Sequence, residues 1–466
     1  MNQSKNGQLD MLNGPLFSKI LLFSIPLAAT GILQLLFNAA DVIVVGKFAG
    51  STSLAAVGAT SSLINLLTGA FIGISVGVNI LVARYIGCRD DDGVSRAVHS
   101  AVTLSLLLGI ATFLLGFFLS TPMLALMDTP ADVLALASLY LRIYFIGVPG
   151  ALIYNFAAAV LRAYGDTKRP LLFLAVSGVL NVLLNLFFVI VCRLDVAGVA
   201  IATVVSQYVS VVMILVCLMR QEGPSRLCLA KLRLHPSEAL RMIQIGLPAG
   251  LQSVVFNISN VMVQSCVNSF GADVIAANTA ASNLAAFTYT AMNAVFHAAI
   301  TFTSQNLGAR RYDRIWSIFR NCLLTVLLIG VPLCVVSTVF GPQLLSIYVS
   351  KNDPAYDAVI AMGMIRTYYV TTPYFLCGMM EVCCGMVRGL GKSWLPMVVT
   401  IFGACVLRII WIYTIFAWDR TLPALYISYP ISWALTAAMH VVCFVIFWRS
   451  IRRRLQALSP AGAASS

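Results

Sequence analysis

Charge is what this sequence has least of. Only 10% of its 466 residues are Asp, Glu, Lys or Arg, while 60% are hydrophobic, and its mean hydropathy is +0.91. Soluble domains carry about 25% charged residues. A chain this poor in charge cannot clothe a soluble enzyme, and its apolar content excludes a disordered or fibrous protein. Histidine is scarce too, at four residues, and there is no H-E-x-x-H. No G-x-x-x-x-G-K-[ST] is present, and no G-x-S-x-G has a credible acid and base with it. These absences exclude nucleotide hydrolysis by the chain itself and intramembrane catalysis of the familiar kinds. Paired cysteines are missing as well. The 12 Cys are scattered, none in a C-x-x-C, and most lie in apolar runs, as do Cys217, Cys266, Cys334 and Cys405. They read as small apolar helix residues. Residues 1–14 are polar and show no secretory signal pattern, so the chain is expected to insert through its own helices and keep them.

What is abundant is long uncharged sequence. A spanning helix needs about 20 apolar residues. Ten uncharged runs meet that need: 20–40, 48–83, 97–127, 143–161, 170–192, 196–219, 242–272, 274–309, 321–350 and 421–448. Two more apolar stretches, about 355–387 and 393–418, carry charge inside them, with Arg366 and Glu381 in the first and Arg408 in the second. The expectation is an all-α polytopic membrane protein of twelve helices, its termini on one side. Lysine and arginine choose the side. The N-terminus, 84–96, 162–169, 220–241, 310–320, 388–392 and the C-terminus hold 23 of the 30 Lys and Arg. The opposite loops hold four: Lys47, Arg193, Lys351 and Arg420. That bias places both termini in the cytoplasm. The net charge of +13 is then mostly an orientation signal. A further part in binding anionic lipid headgroups stays open, and Arg449, Arg452, Arg453 and Arg454 read most simply as a stop anchor.

The chain also repeats itself. Shifted by 221 residues, Leu54–Leu63 falls on Ile275–Leu284, and Gly87, Arg89 and Asp92 fall on Gly308, Arg310 and Asp313. At 224, Arg142, Tyr144 and Pro149 fall on Arg366, Tyr368 and Pro373. At 226, Arg162, Gly165 and Pro170 fall on Arg388, Gly391 and Pro396, and Ser206 falls on Ser432. The ordered series predicts two six-helix pseudo-symmetric lobes, 15–219 and 239–450. They are flanked by a short N-terminus (1–14) and a tail (451–466), and joined by a basic linker, 220–238. Six helices per half keeps the halves parallel, related by an axis along the membrane normal. That arrangement suits a transporter with its site at the repeat interface; a channel more naturally uses rings of identical subunits.

Sorted by position, few charges remain inside the spans. Asp41 is the first. A carboxylate there costs about 2.5–3.5 kcal/mol on insertion scales, so it usually faces a cavity and functions; a place near the outer headgroups is the alternative. Asn181 and Asn185 share one face of the fifth span, either to bind an ion or to hydrogen-bond a neighbouring helix. Glu381 lies two turns before Arg388, as a transport acid or as a partner in a salt bridge. Arg408 can act as a counter-charge on a cavity wall, bind helix-end carbonyls, or snorkel. Arg142 and Arg366, repeat mates each followed by a Tyr two residues on, read most simply as a duplicated structural bracket. His297 reads as a buried neutral histidine before a titrating one.

Several stretches together carry a resemblance. They are Ile25-Pro26 with Leu35-Leu36-Phe37-Asn38-Ala39-Ala40-Asp41-Val42-Ile43-Val44-Val45-Gly46, then Leu161-Arg162-Ala163-Tyr164-Gly165-Asp166-Thr167-Lys168-Arg169-Pro170. Thr303-Ser304-Gln305-Asn306-Leu307-Gly308-Ala309 and Arg388-Gly389-Leu390-Gly391-Lys392-Ser393-Trp394-Leu395-Pro396 complete the set. Over about residues 15–450 the chain resembles the multidrug and toxic compound extrusion (MATE) family. The resemblance implies two lobes around a central cavity and a secondary antiporter in the bacterial cytoplasmic membrane. Such a carrier expels organic, often cationic, small molecules in exchange for H+ or Na+, with no cofactor, no nucleic-acid partner and a monomeric state. It implies that Asp41 is the N-lobe coupling acid, because it fills the family's N-x-x-D-x-x-x-x-G pattern. It also implies supporting roles for Asn181, Asn185 and Thr203, with Na+ as one occupant of that set. The family often has an acid where Asn185 stands, so a two-carboxylate mechanism does not carry over. Gln34, Asn38, Gln252, Asn257, Glu381 and Arg408 are the expected substrate-cavity residues. A lipid-linked oligosaccharide flippase of the same wider superfamily is the alternative, kept open by Arg142, Arg366 and Arg408.

Overall fold

A chain that must satisfy its backbone inside hydrocarbon has few choices beyond the α-helix, and the computed structural model is helical throughout its regular elements. It describes residues 8–127, 129–349 and 354–458; Lys5, Lys351 and the tail beyond 458 lie outside them. The first half contains α1 (Leu16–Phe48), α2 (Ser51–Cys88), α3 (Asp91–Leu126), α4 (Ala131–Ala163), α5 (Lys168–Leu186) and α6 (Asp195–Met219). The second contains α7 (Pro236–Asn268), α8 (Ala272–Gly308), α9 (Tyr312–Val339) and the short α10 (Gly341–Leu345). It continues with α11 (Tyr356–Arg366), α12 (Phe375–Gly389), α13 (Trp394–Thr400), α14 (Leu407–Trp411), the short α15 (Leu422–Tyr426) and α16 (Ser428–Leu458). Wide π turns continue α5 (Phe187–Val191), join α11 towards α12 (Thr367–Thr371), and flank α14 on both sides (Ile401–Val406 and Ile412–Phe416). Among the described residues, eleven helical segments are long and apolar enough to cross a membrane. The 37-residue α8 is as long as any of them but is interspersed with Asn, Thr and Ser.

The repeat read from the sequence reappears in the backbone. Gly50 before α2 and Gly271 before α8, 221 residues apart, both take φ near +100° with extended ψ (90° and 173°, 101° and 177°). Gly165 and Gly391, 226 apart, have φ 80° and 87°. These are regions open to glycine and costly for other residues, so the same tight connections recur in the two halves. Arg89 and Arg310 share the left-handed region as well, at φ 57° and 55°.

By contact, the chain forms two compact units: Met1–Met11 with Leu22–Val254, and Leu12–Leu21 with Val255–Ser466. The divisions fall just before α1, inside α1 and inside α7, not in the segment 220–238. The reason within the first unit is close helix packing. Gly69, Gly73 and Gly77 recur every fourth residue on α2, and Gly246 and Gly250 do the same on α7. A Cβ at Gly73 would overlap the Gly250 backbone, and one at Gly77 would overlap Met242 O. Small residues at this spacing let helix backbones meet. The segment before α7 is fastened to the same unit. Leu227 is buried, Cys228 N donates to His99 Nε2 (3.1 Å) and His235 N donates to Ser100 Oγ (3.0 Å). Tyr85 Oη donates to the buried Glu238 (2.7 Å), which also faces Arg96 (3.6 Å) and Arg241 (4.0 Å).

The core of the first unit gathers Val78, Val98, Phe156, Leu161 and Ile214 from α2, α3, α4 and α6. In the second unit Val263, Val370, Met380, Leu425, Tyr426 and Trp433 make the corresponding core. A Leu at Gly73 should lower the melting temperature of the purified protein, with an overpacking cost of about 1–3 kcal/mol. A Leu at Gly58, which has open space around it, should leave melting unchanged. Equal melting of the two variants would contradict the seam.

Candidate functional site

The first unit brings four of the sequence-predicted residues into one chain of hydrogen bonds. Asp41 is seven residues before the end of α1. Asn181 and Asn185 are one turn apart on α5, and both are buried, at 5% and 0% exposure. Asn185 Nδ2 donates to Asp41 Oδ1 and lies 3.3 Å from Asn181 Oδ1. Asn181 Nδ2 donates in turn to Thr203 Oγ1 on α6 at 3.4 Å, and Thr203 returns its proton to Val199 O (3.0 Å). Close approach of α1 and α5 makes the Asp41–Asn185 contact reachable: Phe37 lies over Gly178, where any Cβ would overlap its ring.

The chain of donors has a direction. Each amide NH2 points towards Asp41 or along the series, and Asn185 Oδ1 is left buried with no hydrogen-bond partner among the described residues. A buried acceptor without a partner is uncommon and calls for an explanation. The same hydrogen-bonded series includes a carboxylate, a second amide oxygen and a hydroxyl, oxygens of the kind that suit a hard cation. Tyr140 and Tyr144 on α4 stack with ring centroids 6.2 Å apart, both within electrostatic range of Asp41. Sequence reading had no signal for Tyr140. Tyr144 was legible only as part of a repeated Arg-x-Tyr.

Elsewhere on α1, Asn38 and Gln34 are exposed, one and two turns before Asp41 on its face. Gln252 on α7 is buried and belongs to the first unit.

The second unit holds Asn257, Glu381 and Arg408. Asn257 is exposed. Glu381 is half-buried, with Tyr289 and Cys377 in electrostatic range, and it makes no ion pair within 4 Å among the described residues. Arg408 does not snorkel. It is fully buried on α14, between the two π turns, and three aromatic rings enclose it. Its guanidinium lies 4.2 Å from the Tyr429 centroid, 5.2 Å from Phe256 and 5.6 Å from Trp433. Nε donates to Ser432 Oγ (3.0 Å), Nη1 donates to Asn260 Oδ1 (3.4 Å), and Nη2 has no partner among the described residues. Of the repeat-mate arginines, Arg142 binds Ser120 Oγ (3.4 Å) and Thr121 Oγ1 (3.1 Å), joining α4 to α3 as a bracket. Arg366 is buried, with Nε and Nη1 unpartnered among the described residues. His297 lies half-buried beside Phe296, ring centroids 5.3 Å apart.

A family model described as MatE matches residues 26–187 and 248–414, once in each half. The chain belongs to the MatE family. Among curated relatives of this MatE protein is the Bacillus subtilis "Probable multidrug resistance protein YoeA". The two are 27% identical over 388 residues, covering 82% of this chain and 83% of the relative. "Probable multidrug resistance protein YpnP" of the same organism is 28% identical over 401 residues, covering 86% and 88%. A solved structure described as the outward-facing conformation of a multidrug resistance MATE family transporter of the MOP superfamily shares the fold. Its TM-score is 0.89 at 21% identity, covering 97% of this chain and all of the other. This chain is therefore a multi-pass membrane protein of a multidrug efflux family, and the family match does not favour the flippase alternative.

Arg408 offers a test of its own surroundings. A buried cation without a carboxylate carries a desolvation cost, so Arg408→Met should melt at or above the wild type. Arg408→Lys should melt lower, because an ammonium keeps the charge but loses the planar stack and the second hydrogen bond. A Lys variant as stable as the wild type would contradict the cage.

Proposed function

We propose that this MatE protein exports organic, often cationic, small molecules across the bacterial cytoplasmic membrane in exchange for H+ or Na+, as a monomer. The observation that carries the reading is the Asp41–Asn185–Asn181–Thr203 chain with its unpartnered Asn185 Oδ1. The carboxylate of Asp41 can accept a proton on Oδ2 while Oδ1 keeps the Asn185 bond. It can equally share a Na+ with the oxygens of Asn185, Asn181 and Thr203. Both ions act alike on the cargo: each cancels the one negative charge on this face of α1. An organic cation held against Asp41, Asn38 and Gln34 is then released. Gln252, Asn257 and Glu381 are the further residues that we propose meet the cargo.

Alternating access of two six-helix halves, 15–219 and 239–450, converts this competition into transport. Ion and cargo must weaken one another by the same factor, since coupling is reciprocal. A ligand that binds both states equally moves nothing.

Efflux of a fluorescent cationic dye from cells measures the whole cycle. Asp41→Asn should abolish it with expression intact, and Asn185→Ala should reduce it severalfold. Running the assay with the pH gradient collapsed, and then with sodium withdrawn, identifies the ion. Full efflux from Asp41→Asn would remove the assignment.

A further inference from the structure

Two arginines of the second unit meet at one cavity. At the start of α9 and the end of α16 lies a cavity of about 490 Å³, lined by Arg310, Tyr312, Asp313, Trp448, Ile451 and Arg452. Its single carboxylate is engaged, with Asp313 Oδ1 3.5 Å from Arg311 Nε. Arg310 and Arg452 have no carboxylate partner within 4 Å among the described residues. The cavity also has an apolar wall. Arg452 lies over the Trp448 ring at 5.5 Å. Trp448 meets Trp316 at 5.2 Å, and Trp316 stacks on Phe444 at 5.9 Å and 21°. The wall runs from the cationic rim into the apolar lengths of α9 and α16.

The repeat supplies a comparison within the same chain. At the 221 shift, Arg310-Arg311-Tyr312-Asp313-Arg314 falls on Arg89-Asp90-Asp91-Asp92-Gly93. The backbone is alike in the two turns, at φ 55° and 57° for Arg310 and Arg89. In the first half the turn is acidic, and Asp90 Oδ1 accepts from Gly93 N (2.8 Å). The fold therefore accommodates either sign here. A net positive turn is a property of the second half alone, and it coincides with the cavity.

We propose that this cavity binds the phosphate headgroup of an anionic phospholipid. Arg310 and Arg452 hold the phosphate, and the first methylenes of the acyl chains lie along Trp448 and Trp316. The proposal rests on the membrane-embedded reading of the chain, which sets this face at the bilayer surface, where basic pockets between helices meet anionic headgroups and Trp is favoured. Free phosphate shares the headgroup's charge and donor preference but has no use for the aromatic wall.

The test uses the purified full chain in neutral detergent, titrated with phosphatidylglycerol or phosphatidylcholine of the same acyl length. Lipid adducts are read by native mass spectrometry, and thermal melting runs in parallel. The expected result is retention of phosphatidylglycerol over phosphatidylcholine together with a rise in melting temperature. The Arg310→Gln/Arg452→Gln pair should weaken phosphatidylglycerol binding roughly thirtyfold, at about 1 kcal/mol per arginine. Trp448→Ala should weaken it as well, and Arg89→Gln, at the repeat-equivalent turn, should leave it unchanged. Equal retention of both lipids by the wild type would overturn the proposal without any variant. So would unchanged binding in the double variant, or full competition by inorganic phosphate. Because binding is read in detergent without transport, loss or retention of efflux in Asp41→Asn leaves this result untouched.

Discussion

The proposed efflux hangs on how a carboxylate survives on a spanning helix. Asp41 enters the membrane at a cost of about 2.5–3.5 kcal/mol, and an amide, not a cation, compensates it. Asn185 donates to it, Asn181 accepts from Asn185 and donates to Thr203, and the series ends on a backbone carbonyl. An arginine partner would fix the charge of Asp41 permanently. An amide leaves it free to change, since the hydrogen bond to Oδ1 persists whether Oδ2 carries a proton or the site carries a metal cation. The unpartnered Asn185 Oδ1 is the complementary feature, an acceptor held ready where a cation would stand.

The two halves descend from one pattern yet set different charged groups among their helices. The first half places an acid among amides. The second places Arg408 in a cage of Tyr429, Phe256 and Trp433, with Ser432 and Asn260 as its hydrogen-bond acceptors. The repeat survives in the backbone: Gly50 with Gly271, Gly165 with Gly391, Arg89 with Arg310. Duplication thus preserved the turns, where only certain residues fit, and released the side chains of the spans and their ends. The acidic turn after α2 and its basic counterpart before α9 show the same freedom.

The sequence made the helices legible because lipid leaves the backbone one solution and uncharged runs mark it. Asp41 was legible because charge inside a span is rare, and the Asn pair because one turn separates its members. Thr203 needed the family pattern, since a hydroxyl on an apolar helix has no signature of its own. Pairing between distant helices was not legible: nothing in Arg408 alone indicates three rings around it, because they come from α7 and α16. Glu381 resembled a salt-bridge candidate by its spacing from Arg388, and Arg388 is its electrostatic neighbour, without an ion pair within 4 Å among the described residues. The fastening of the segment before α7 also escaped the sequence reading. Its basic residues and prolines suggested a linker, while its contacts with His99, Ser100 and Tyr85 depend on backbone groups and on a buried Glu238. The glycines of α2 and α7 carried that information, but only as a pair of helices.

The central claim is that one site holds either ion or cargo, and Asp41 makes them exclusive. Binding of a cationic substrate to the purified protein, followed by calorimetry in buffers of different ionisation enthalpy and with or without sodium, tests this most directly. The account predicts that wild-type protein releases protons on binding, or binds more weakly as sodium rises, and that Asp41→Asn does neither. Proton release or sodium competition of wild-type size in Asp41→Asn would contradict it.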